Sequence, residues 1–147
     1  MSKNSFRVST GAKKIEVNDD GDYITLNLSD QSFLPRLASI IDTFNAKFPE
    51  YEARAKEIDE MAAETKEQRF YNMKLAAEYN ESVHRELIRE VDAVFGDDVC
   101  RKVFGPIVPS TEMFVEFFEK LTPYIEKFSR ERVEKMSNYN PNRTGNT

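Results

Sequence analysis

The sequence predicts a mainly α-helical protein: a small domain of four to five helices with an N-terminal β-hairpin. Three observations carry that prediction. Apolar residues recur at spacings of three and four in three separate stretches. Glu50 to Phe95 contain neither glycine nor proline. Only the segment around residues 15–28 alternates apolar with polar residues as a half-buried strand does. With 147 residues, one domain with one core is expected. A charged content of 32% against 39% hydrophobic suits helices with one buried stripe and solvated outer faces.

Residues 1–12 have no periodicity and are expected to form a flexible arm, leaving 13–136 as the domain. In "KKIEVNDDGDYITLNL", Ile15 and Val17 alternate with Glu16, and Ile24, Leu26 and Leu28 alternate with Thr25 and Asn27. The cluster Asn18–Asp22 between them supplies turn chemistry, with Gly21 free to take a positive φ. Two strands alone are marginal, so their apolar face must rest on helices or on another subunit.

A first helix is expected from an N-cap at Ser32, with Pro35 in its first turn. Phe33, Leu37, Ile40, Ile41, Phe44 and Phe48 share one arc, and Pro49 is expected to end the helix. A single helix over 50–95 would be roughly 69 Å long, far beyond a radius of gyration of about 15 Å for such a domain. Two helices are therefore expected, 50–66 and 70–95, bending at the polar run "AAETKEQR". The second shows a stripe of Met73, Ala76, Tyr79 or Asn80, Val83, Leu87, Val91 and Val94.

Gly96 is placed as a left-handed C-cap. Asp97 or Asp98 should cap a short helix, "DVCRKVF", that Gly105-Pro106 stops. Ser110 or Thr111 should open the last helix, in which Phe114, Phe117, Phe118, Leu121, Ile125 and Phe128 form one stripe, with Pro123 on the opposite face. Residues 137–147 are expected to be a disordered tail.

Function classes narrow by charge and by missing groups. The arm 1–14 is +4 and residues 129–147 are +2, so the total of −5 leaves −11 on 15–128. An acidic body repels phosphate backbones, and no nucleic-acid partner is expected. No apolar run approaches a membrane span and no secretory signal pattern opens the chain, so a cytoplasmic protein is expected. One cysteine excludes an internal disulfide.

Glu81 and His84 form the Glu-x-x-His of di-iron bundles. The only histidine cannot supply the second copy, so a surface pair is the better reading, and no metal or cofactor is expected. A calcium loop fails on Asn27, where a bidentate glutamate is needed. Cys100 is expected to be a buried apolar cysteine, although Arg101 and Lys102 beside it could lower its pKa. The chain is therefore read as a non-enzyme. Most of the rings on this stripe are expected to be ordinary core, and any aromatic surface beyond what the helix's neighbours cover would be a partner or self-association face; the candidate protein-binding residues are Phe104, Met113, Phe114, Phe117, Phe118, Leu121, Tyr124 and Phe128.

Three of these features sit in one run, "VFGDDVCRKVFGPIVPSTEMFVEFFEKLTPYIEKF". Its Phe95-Gly96, Lys102-Val103-Phe104-Gly105 and Pro123-Tyr124-Ile125 resemble the C-terminal half of tail assembly chaperones from siphophages and prophages of Gram-positive bacteria. The hairpin followed by "LSDQSFLPRLASIIDTF" is similar to that family's layout, so the resemblance spans roughly 13–136. It implies a small helical protein, absent from the finished virion and possessing no catalytic group. Such a protein binds the tape-measure protein, keeps its apolar helices in solution and recruits tail-tube subunits, either alone or as a homo-oligomer. Members of the family often have a longer frameshifted product. Two other function classes stay open: a structural virion component (a tail-completion or connector protein), and an uncharacterised carboxylate or metal enzyme.

Overall fold

Asn18 makes the first turn. Its Oδ1 accepts the Asp20 and Asp22 N–H groups at 2.9 and 3.2 Å, and Gly21 takes φ +84°. The strands on either side, β1 (Lys13–Glu16) and β2 (Tyr23–Leu26), pair antiparallel with Ile15 opposite Ile24. The computed structural model describes residues 3–139. After the hairpin come α1 (Phe33–Asp59), α2 (Lys66–Phe95), α3 (Val99–Phe104) and α4 (Thr111–Tyr139). This is the predicted class, a mainly α domain of four helices with an N-terminal hairpin. Residues 3–12 have no regular secondary structure and are exposed.

Helix α1 corrects two expectations. Ser32 precedes it but makes no side-chain cap, and its backbone is already helical. Asp30 organises the entry instead, its carboxylate accepting from the Ser32 N–H at 2.9 Å and the Ser32 hydroxyl at 2.6 Å. These bonds hold the Asp30 carboxyl below its ordinary pKa. Nor does Pro49 end the helix, which continues ten residues further, to Asp59. An internal proline removes one backbone hydrogen bond. Side-chain packing across it compensates, because Phe44 contacts both Phe48 and, past the proline, Tyr51, with ring centroids 5.9 and 5.7 Å apart. The predicted helix 50–66 is thus the far half of α1.

The break comes at residues 60–65 and is built by Thr65. Its side chain accepts the Gln68 N–H at 3.1 Å, while the Gln68 side chain reaches back to the Glu64 N–H at 2.6 Å. This is a capping box shifted by one donor. Arg69 pairs with the Asp59 carboxylate at 3.2 Å and ties the two helix ends together.

Gly96 closes α2 as predicted, with φ +71° and its N–H on the Asp92 carbonyl at 2.8 Å. Neither Asp97 nor Asp98 caps α3 with its side chain. Asp92 reaches across the corner and accepts the Cys100 N–H at 2.9 Å. Asp97 instead pairs with Lys102, which also donates to the Tyr23 carbonyl at 3.2 Å, while the Asn18 amide donates to the Lys102 carbonyl at 3.1 Å. The hairpin turn is bolted to α3 by this set. Helix α4 passes through the exposed Pro123 and extends three residues beyond the predicted boundary at Met136; the rest of the predicted tail, 140–147, lies outside the described residues.

The core sits at one end of the molecule. Ile24, Leu26 and Leu28 from the hairpin meet Phe33 and Leu37 of α1, Leu87, Val91 and Val94 of α2, Val99 and Cys100 of α3, and Phe114, Phe117 and Leu121 of α4. Full burial of one such side chain contributes about 1.5–3 kcal/mol. At 27 and 30 residues, α1 and α2 are about 40 and 45 Å long. The segment Phe33 to Phe44 of α1 and the segment Leu87 to Phe95 of α2 join that core, and their far halves run on as a two-helix arm.

Candidate partner-binding surfaces

The α4 stripe divides between core and surface. Phe114, Phe117 and Leu121 are buried, Phe114 at 2% exposure, and give a partner little area to meet. Phe104 closes over two of them, its ring centroid 5.1 Å from Phe114 and 5.7 Å from Phe117. Phe104, Met113, Phe118 and Phe128 are half-buried, and Tyr124 is exposed. Five of the eight predicted residues (Phe104, Met113, Phe117, Leu121 and Tyr124) share one groove of about 390 Å³ with Ile15, Val17 and Ile24 of the hairpin. Its helical charges, Glu116 and Lys120, are of opposite sign. Phe128 lies in a smaller hollow beside Leu26 and Leu28, and Phe118 packs on the core.

His84 lies in a separate open cleft of about 570 Å³ between the arm and the start of α4. Its Nδ1 is 2.7 Å from the Asn80 carbonyl and its Nε2 2.8 Å from the Thr111 hydroxyl. A carbonyl only accepts, so Nδ1–H donates to it, and Nε2 shares its hydrogen bond with the Thr111 hydroxyl. Glu81 is turned to Arg85, 2.6 Å away. The two residues are not brought together as ligands, and no group of three His, Cys, Asp or Glu side chains among the described residues is placed to hold a metal. Glu112, in the same cleft, is held below its ordinary value by its own N–H and the Ser110 hydroxyl.

Cys100 is buried, and burial followed by the Asp92 charge pushes its thiol well above the ordinary range. Arg101 and Lys102 point their charges elsewhere, to Asp98 and Asp97. The pKa-lowering role considered for them does not occur.

Sequence reasoning missed the arm's tip. Phe70 is 67% exposed, Tyr71 55%, Met73 49% and Met61 44%, and all four lie within thirteen residues around the turn. Asn72, between three of them, is buried, and its amide donates to the Met61 carbonyl at 2.8 Å. The inward stripe of α2 therefore starts at Asn72 and not at Met73. A loop carbonyl with no other described partner takes the inward position for an amide, and Met73 rotates outward. The signal was present: Thr65-x-x-Gln68 fixes where the helix starts, and hence which side Phe70 and Met73 face.

Among the described residues, no helix is long and apolar enough to cross a membrane. The chain matches a family described as "Family of unknown function (DUF6673)" over residues 36–146. No curated protein and no solved structure matches it.

Proposed function

The chain belongs to the DUF6673 family, whose function is unknown, and from that premise we propose that it is a phage or prophage tail assembly chaperone. It acts in the host cytoplasm without catalysis, binding the tape-measure protein and tail-tube subunits while tails are built. One observation supports the reading best: the apolar tip, Met61, Phe70, Tyr71 and Met73, is carried on a two-helix arm that reaches away from the core. A scattered exposed leucine needs no explanation, but four large exposed apolar side chains within thirteen residues do. Two are methionines, whose unbranched, polarizable chains repack around differently shaped partners. An apolar helical client laid against the tip loses water from its own stripe and from these rings together. The acidic body keeps the loaded complex apart from its neighbours by mutual repulsion.

The test is co-purification from cells assembling tails. The wild-type chain should bring down a long helical tail protein. Phe70→Glu with Met73→Glu should lose it while melting at the same temperature. Recovery of the chain in purified particles at fixed stoichiometry would instead favour a structural virion component, and no tail polypeptide in the wild-type eluate would reject the chaperone reading.

A further inference from the structure

The hairpin is a sheet of two strands, so among the described residues β1 has one edge with no strand beside it. Val17 donates to the Asp22 carbonyl at 3.0 Å. The alternation of an antiparallel ladder then turns the backbone groups of Lys13, Ile15 and Val17 toward β2, and those of Lys14 and Glu16 outward. Neither outward pair meets a partner among the described residues. The side chains of Lys14 and Glu16 stand on the solvent face of the sheet. Lys14 Nζ lies 4.3 Å from the Tyr23 ring centroid on that face, and Glu16 has no ion pair among the described residues. On the other face, Ile15 borders the apolar groove with Met113 and Tyr124.

We infer that this edge pairs antiparallel with β1 of a second copy of the chain, about a two-fold axis at Ile15. Its charge pattern is its own complement. Two-fold pairing there sets Lys14 opposite the copy's Glu16 and Glu16 opposite the copy's Lys14. Both are cross-strand opposite-charge pairs, the arrangement that stabilises antiparallel sheets. The same register makes each Lys14–Glu16 position a hydrogen-bonded pair, so all four outward N–H and C=O groups on each strand edge gain partners. Ile15 meets Ile15 of the copy at a non-hydrogen-bonded position, where side chains approach most closely, directly over the groove. Lysine on an edge strand ordinarily discourages pairing. Here the glutamate two residues on reverses that for one partner, an antiparallel strand of the same sequence, and leaves it in force against strands with lysine at that place. Glu116 and Lys120 on the groove's rim give the helical side the same mixed sign, as an isologous contact requires.

The experiment is sedimentation of the full chain over a concentration series, without any client, so that it reads independently of the chaperone proposal. The wild type should move toward twice its monomer mass as concentration rises. Lys14→Glu and Glu16→Lys should each stay monomeric with unchanged helical circular dichroism and melting temperature, and the double swap K14E/E16K should restore the dimer. As a check insensitive to charge, Ile15→Cys should form an inter-chain disulfide under mild oxidation, since its backbone position suits the bond and Cys100 is buried. A wild type that is monomeric throughout, single charge variants that still dimerise, or a swap that does not restore pairing would each overturn the inference.

Discussion

Asp92 acts on two elements at once: its carbonyl closes α2 on Gly96, and its carboxylate caps α3 at Cys100. The same carboxylate, with burial, keeps the neighbouring thiol protonated. In the native protein Cys100 should therefore resist alkylation at neutral pH and react at full rate once denatured, measured by mass shift with iodoacetamide. Fast native labelling would mean the α2–α3 corner opens. Asp97 sits below its ordinary 3.8 because the Lys102 side chain donates to it, so it adds stability that is present above 3.8 and is lost as pH falls through the depressed folded value. Lys102 is raised above 10.5 by the same bond, so on the alkaline side the pair's contribution is lost as pH rises through that raised value. Asp97→Asn should flatten the acid side of a plot of melting temperature against pH, with little change in shape around neutrality. Both groups are exposed, so the effect is small.

At the scale of the element, apolar periodicity made the helices legible, and alternation made the hairpin legible. The class, the core stripe of α4 and the Gly96 cap could be read because each depends on residues close in sequence. Pro49 could not be read correctly, because the rings that carry α1 past it act through packing and not through local backbone preference. An interior proline costs up to about 3 kcal/mol relative to alanine, so Pro49→Ala should raise the melting temperature. A lowered one would mean the proline supplies a bend the arm requires. Thr65, by contrast, was legible and overlooked. Thr65→Ala should cost about 1 kcal/mol and speed hydrogen exchange in the first turn of α2. Ser32→Ala should do much less, because the Ser32 side chain makes no capping bond to α1.

For the molecule as a whole, the core lies at the hairpin end and the arm extends from it, held mainly by α1 against α2. That division was not legible: composition gives total apolar content, not where the stripes fall out of mutual reach. The aromatic stripe of α4 is mostly core, while exposed apolar surface gathers at the tip around Phe70 and at the hairpin groove. The arm should open locally before the core does. Hydrogen exchange of the full chain, alone and with a tape-measure-type helical polypeptide, tests the central claim most directly. Proposed client binding through the tip requires slower exchange across residues 61–73 in the complex, with the amides around Val91 and Phe114 unchanged. Equal exchange at the tip with and without the client, despite a formed complex, would contradict it.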